Sequence, residues 1–209
     1  MVEDKHLNVP VGVIDVQAKS SALEQRRGND LVSRRSKVIG TVYLLLDHSA
    51  SMADGNKLRQ VKRGALRFFG EAWLRDYAVG AIAFSYRAVC LSGASRNFYR
   101  FQKSLVGLEP HGRTAMASAI RLGVRRLRWR RGKRALILIT DGQPNSREAT
   151  LRAAQVARAA GIELIAVGTD GADEAFLASL TPKPELAAWV EVDALEGKIA
   201  DAAQALPEG

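Results

Sequence analysis

Two apolar runs, each ending in an aspartate, constrain this chain more than any other feature. The first, Val42-Tyr43-Leu44-Leu45-Leu46, is closed by Asp47, and the second, Ala135-Leu136-Ile137-Leu138-Ile139-Thr140, by Asp141. Neither alternates apolar with polar residues, so each reads as a strand buried on both faces. A sheet of such strands needs helices on both sides. In a doubly wound sheet of this kind, ligands bind outside the strand C-termini, where the strand order reverses. If the two strands are neighbours there, Asp47 and Asp141 face each other across one crevice.

The loop after Asp47 continues with Ser49 and Ser51, so three oxygen-bearing side chains fall within five residues. They can converge on one point, and oxygen-only ligands suit a hard cation such as magnesium rather than zinc. His48, between them, is turned the other way by alternation and reads as a neighbour of the site.

The rest of the chain supplies alternating helices and strands. Residues 40–46 form the first strand. Residues 57–74 form a helix whose apolar face is Leu58, Val61, Ala65, Phe68, Phe69 and Ala72. Lys57, Arg59, Lys62, Arg63 and Arg67 fall on its wet side, and Asp54 is placed to cap it. Strands 77–84 and 87–91 are separated by only Ser85-Tyr86, too short for a crossover, so they pair antiparallel. Helices follow at 97–105, 115–129, 148–160, 174–180 and 195–206, and strands at 134–140, 163–167 and 189–192. Gly161 ends its helix where a left-handed cap is expected. This alternation predicts an α/β fold with a mostly parallel sheet.

Asp47, Ser49, Ser51, Thr114 (in Gly112-Arg113-Thr114-Ala115) and Asp141 together resemble the von Willebrand factor type A family. The metal-ion-dependent adhesion site of that family reads Asp-x-Ser-x-Ser, then a distant Thr and a distant Asp, and all five positions match in order. The resemblance covers residues 38–207. It implies a Rossmann-like, doubly wound six-stranded sheet, ordered 3-2-1-4-5-6 with strand 3 antiparallel, and helices on both faces. It also implies that Ser49 and Ser51 bind magnesium directly while Asp47 orients its water shell. Thr114 would join on engagement and Asp141 would act through water. Manganese or calcium are substitutes. A partner protein's Asp or Glu would complete the metal's shell. Such a chain is a non-enzymatic interaction module, in intracellular members often beside an AAA+ ATPase, a kinase or phosphatase, or a protease.

Each residue has an ordinary alternative. Ser49 and Ser51 are also turn and capping residues, Thr114 also suits a helix cap, and Asp141-Gly142 is a common turn pair. His48, Arg113, Gly142, Gln143, Asn145 and Asp170 are placed to rim the partner-binding face, Thr169 beside them. His111 reads as a loop histidine, and Asp170 and Asp173 also read as turn acids.

Net charge is +9 and the sequence pI about 10.0, which favours acidic partners. The densest basic stretch, residues 121–134, holds Arg125, Arg126, Arg128, Arg130 and Arg131 around Trp129. It is either a solvated face or a second contact surface for an acidic protein, an anionic surface or nucleic acid phosphates. A metal-dependent hydrolase or phosphotransferase is the third class. It is disfavoured by Ser49 where a second carboxylate is needed, and by the lack of a Walker loop or nucleophile elbow.

The 209 residues suffice for one domain with a core and a short appendage. The single cysteine, Cys90, allows no intrachain disulfide. No run resembles a signal peptide or a membrane span, so the cytoplasm is expected. Residues 1–37 differ in composition and read as an N-terminal extension, flexible or packed on an edge.

Overall fold

The computed structural model describes residues 38–208. The expectations for residues 1–37 lie outside the described residues. Six strands form one sheet in the order β3-β2-β1-β4-β5-β6. They are β1 (Gly40–Asp47), β2 (Tyr77–Phe84), β3 (Ala88–Ser95), β4 (Lys133–Thr140), β5 (Glu163–Gly168) and β6 (Ala187–Trp189). All neighbours are parallel except β2 and β3, which are antiparallel. Six helices cover the sheet: α1 (Lys57–Leu74), α2 (Phe98–Leu105), α3 (Met116–Leu127), α4 (Arg147–Ala159), α5 (Glu174–Leu180) and α6 (Val192–Asp201).

The unbroken apolar runs serve two cores. On β1, Val42, Leu44 and Leu46 pack on one face with Val61, Phe68, Phe101 and Ile199, from α1, α2 and α6. Tyr43 and Leu45 pack on the other with Ile120, Ala157 and Leu177, from α3, α4 and α5. Alternate side chains of a strand leave opposite faces, so a strand buried on both must be apolar throughout. Gly123 lets α3 close on β4, since a Cβ there would lie 2.5 Å from Leu136 Cδ2.

The structure differs from the sequence reading at several element ends and at one cap. β3 runs on to Ser95, where Ser92 and Ser95 pair with Ala81 and Val79 of β2 and Tyr43 Oη accepts a hydrogen bond from Ala94 N at 3.0 Å, although this Ser-Gly-Ala-Ser stretch has no apolar signal. Its register shifts between Val79 and Ile82. β6 is only Ala187–Trp189, and Val192 opens α6 instead of closing a strand. Asp54 does not cap α1: it lies in extended backbone inside a 3-10 segment, Ala50–Asn56, and left-handed Asn56 precedes the helix without a side-chain cap. Gly161, with φ +66°, follows α4 as expected.

Among the described residues no helix is long and apolar enough to cross a membrane.

Candidate metal centre

β1 and β4 are hydrogen-bonded neighbours, and the order reverses between them. Asp47 ends β1, and Asp141 directly follows β4. Asp47 is fully buried and held twice: its Oδ1 accepts from Ser49 N at 2.8 Å and its Oδ2 from Thr140 Oγ1 at 2.6 Å. Burial pushes its pKa up to about 6, against the pull of the Thr140 and Ser49 hydrogen bonds. It is therefore still a carboxylate at neutral pH.

Ser49 and Ser51 point to the same place. Their Oγ atoms are 3.2 Å apart, and Ser51 Oγ donates to Asp141 Oδ1 at 2.8 Å. Ser49 precedes the 3-10 segment with no side-chain capping hydrogen bond to it, and Ser51 turns its hydroxyl to Asp141. Thr114 joins them from a loop stitched to this one. His111 N donates to His48 O at 2.7 Å, and Ala50 N donates to Gly112 O at 3.1 Å. Gly112 sits at φ +81° with Tyr86 where a Cβ would be, so only glycine fits this crossing. Thr114 is not a cap either: α3 starts after Ala115 without a side-chain hydrogen bond. A Cβ added at Gly142 would lie 3.3 Å from Thr114 Oγ1 and 3.9 Å from Ser51 Oγ, so both hydroxyls flank Gly142.

The donor set fits a hard cation. Two adjacent ligands of an octahedral magnesium are about 2.9 Å apart, given bonds of about 2.0–2.1 Å. The Ser49–Ser51 spacing of 3.2 Å is close to that. Both oxygens of Asp47 and both of Asp141 already have protein partners, which suits carboxylates that act on a metal through water.

One member of the site was read differently from sequence. Lys57, assigned to the wet face of α1, is buried with its Nζ 2.9 Å from Asp141 Oδ2 and 3.2 Å from Asp170 O. It ties the β4 and β5 loops together. Gly171 completes that contact, since a Cβ there would come within 2.4 Å of Asp141 O. The signal was available: a lysine in the first turn of a helix opposes the helix dipole and needs a specific acceptor.

The expected rim is partly structural. Arg113, Gln143, Asn145 and Asp170 are exposed and Gly142 is half-buried. Asn145 locks Thr114, its Oδ1 accepting from Thr114 N and its own N donating to Thr114 O, both at 3.1 Å. His48 is buried, bonded through Nδ1 to Glu109 O and edge-on to the His111 ring at 4.5 Å. Burial holds its pKa below the usual histidine range, so it is neutral at neutral pH. Thr169, expected on the rim, is buried. Asp173 is a capping acid, accepting from Phe176 N and pairing with Arg147. Arg125, Arg126, Arg128, Arg130 and Arg131 are all exposed, and Arg128 stacks on an 82% exposed Trp129.

This sheet order, with hydroxyls and aspartates gathered at the switch point, is that of a Rossmann-like α/β fold with one antiparallel edge strand. Residues 41–202 match the model of the von Willebrand factor type A domain, and the chain belongs to that family. No curated protein matches it. Among solved structures it resembles the von Willebrand domain of the type V pili tip protein Mfa5 from Porphyromonas gingivalis, with a TM-score of 0.75 at 11% identity, covering 82% of this chain and 97% of that one. It also resembles the pilus adhesin SpaC from Lactobacillus rhamnosus GG, at 0.69 and 20%, covering 82% of this chain but 31% of the adhesin. A third likeness is to proximal thread matrix protein 1 from the mussel byssus, solved with a zinc-occupied adhesion site. That match scores 0.68 at 17% identity and covers 79% of this chain and 45% of that one. This chain thus spans about a third of the adhesin's length. At these identities the likeness is one of fold. Domains of this family are typically metal-dependent adhesion or protein-interaction modules.

Proposed function

We propose that this chain is a magnesium-dependent protein-interaction module that captures an acidic side chain of a partner, without catalysing a reaction on it. The observation that carries the reading is the convergence of Ser49, Ser51 and Thr114 hydroxyls beside two aspartates whose oxygens are already engaged. Ser49, Ser51 and Thr114 would hold the ion, and Asp47 and Asp141 would fix its waters. The bound ion supplies an electrophilic position for a carboxylate.

Lys57 makes that position electrophilic. Two carboxylates and one ammonium leave the site formally singly negative. A divalent ion then leaves one positive charge, which one incoming carboxylate neutralises. Without the ammonium the two aspartates would neutralise the ion alone, with weaker demand for a partner. Hydroxyls add no charge, so they hold the ion without quenching it.

We further propose an intracellular setting, as one component of a larger assembly built around an ATPase, kinase, phosphatase or protease. The lone Cys90, with no disulfide among the described residues, supports this. Two structural relatives, a pilus adhesin and a pili tip protein, suggest the alternative, surface adhesion, and the same chemistry serves both.

The test is a pull-down from lysate with magnesium or chelator, using wild type and Thr114→Ala. Proteins held only by wild type with magnesium support the reading. Equal retention under all four conditions removes the metal from the contact. Repeating with zinc or manganese identifies the working ion.

A further inference from the structure

A groove leaves the metal centre and runs between α3 and α4. Its upper part, about 230 Å³, is lined by Thr114, Ser118 and Arg121 on one side and by Asn145 and Ala149 on the other. Its lower part, about 350 Å³, shares Ser118 and Arg121 and continues past Val124 and Arg125 to Val156. The two adjoin, so one channel connects Thr114 to the far half of α3.

The charges along it are one-sided. Arg121 and Arg125 are exposed, and among the described residues neither has an ion-pair or hydrogen-bond partner. The arginines of α4 are different: Arg147 pairs with Asp173, Arg152 with Glu148, and Arg158 donates to Thr181 O. From Pro110 to Thr140 the chain carries no acid. The floor is apolar where Val124 and the 55% exposed Val156 meet. A groove with an apolar floor and free guanidiniums on one wall complements a peptide that carries both apolar and acidic residues.

We propose that the partner segment whose carboxylate completes the metal continues down this groove as an extended acidic strand, held by Arg121 and Arg125. This rests on the metal-dependent reading above and specifies the ligand for it. Spacing follows from geometry. At about 1.5 Å rise per residue, Arg121 lies about 10 Å and Arg125 about 16 Å along α3 from Thr114. An extended strand rises about 3.3 Å per residue, so the second and third acids fall about three and five residues from the metal-bound one. Nucleic acid is disfavoured here because the channel's lining holds a single aromatic ring, Tyr86 in its upper part, and none in its lower part, which gives successive bases no stacking platform.

The test is selection from a displayed random-peptide library in magnesium, on wild type, Thr114→Ala and the double variant Arg121→Gln/Arg125→Gln. Both arginines are exposed, so the double variant folds, which its circular dichroism and magnesium titration check. On wild type, the expected peptides carry an acid with further acids at these spacings. The double variant is expected to bind them at least about tenfold more weakly, a loss of about 1.4 kcal/mol. Magnesium-dependent peptides with a lone acid, bound equally by the double variant, would overturn the groove and leave the metal reading standing. Enrichment that ignores both chelator and Thr114→Ala, or none that requires magnesium, would overturn both. Displacement of selected peptides by a short oligonucleotide without regard to magnesium would replace the peptide with nucleic acid.

Discussion

Lys57 Nζ lies 2.9 Å from Asp141 Oδ2, with both groups buried at the C-terminal edge of the sheet. Removing one partner of a buried pair strands the other charge, at about 3–5 kcal/mol. Lys57→Met is therefore expected to destabilise the metal-free protein by about 3 kcal/mol. Magnesium should restore more stability to the variant than to wild type, because the freed carboxylate gains a cation. Urea denaturation with magnesium and with chelator measures both. A loss that magnesium does not reduce would show that Lys57 serves packing alone.

Gly142→Ala places a methyl group 3.3 Å from Thr114 Oγ1. The hydroxyl must give way, while no apolar core residue is disturbed. The expected outcome is weaker divalent-ion binding, by about tenfold (about 1.4 kcal/mol), with stability within about 1 kcal/mol of wild type. Calorimetric titration and thermal melts check the two halves separately.

Asp47 gives a pH signature. Its folded pKa of about 6 lies above the ordinary 3.8, so the folded state binds the proton more tightly than the unfolded chain does. Burying the ionised form costs stability above the folded value, and that cost disappears as pH falls toward the unfolded value. In chelator, Asp47→Asn should thus gain stability relative to wild type at neutral pH, on the order of 1–3 kcal/mol. The gap should close as the buffer is brought below about pH 4–5. Paired denaturation curves across that range read it, and a gap that widens on acidification would contradict the burial argument.

Thr114→Ala should leave the fold intact, since Thr114 caps no helix and the Asn145 contacts use its backbone. Thr114→Ser keeps the hydroxyl. A partner bound by wild type should be lost by the alanine variant and largely kept by the serine variant, by at least about a tenfold difference. Surface-immobilised binding of the captured partner measures it.

The buried strands and the closeness of Ser49, Ser51 and Asp141 were legible from strong local signals, whereas the sheet order followed from the family resemblance. Unbroken apolar runs announce buried strands, and the spacing Asp47, Ser49, Ser51 announces a shared point. The weaker elements carried no such signal. Residues 92–95 extend β3 by pairing Ser92 and Ser95 with β2 across a register shift, with Tyr43 Oη also accepting from Ala94 N, and no local apolar pattern encodes either. Lys57 was hidden by helical periodicity, which sorts side chains by face but ignores that the first residue of a helix faces whatever precedes it. Asn145, expected on the rim, is exposed and also clamps Thr114, which no local pattern announces.

The most direct measurement is a manganese titration followed by electron paramagnetic resonance, on wild type, Ser51→Ala and Asp47→Ala, with carbon-13-labelled acetate added. One ion per chain is predicted for wild type, with a carbon-13 coupling that shows acetate on the metal. Both substitutions should abolish it. A bound ion that ignores Ser51→Ala and Asp47→Ala, or one that never takes acetate, would contradict the claim that this site exists to capture a carboxylate.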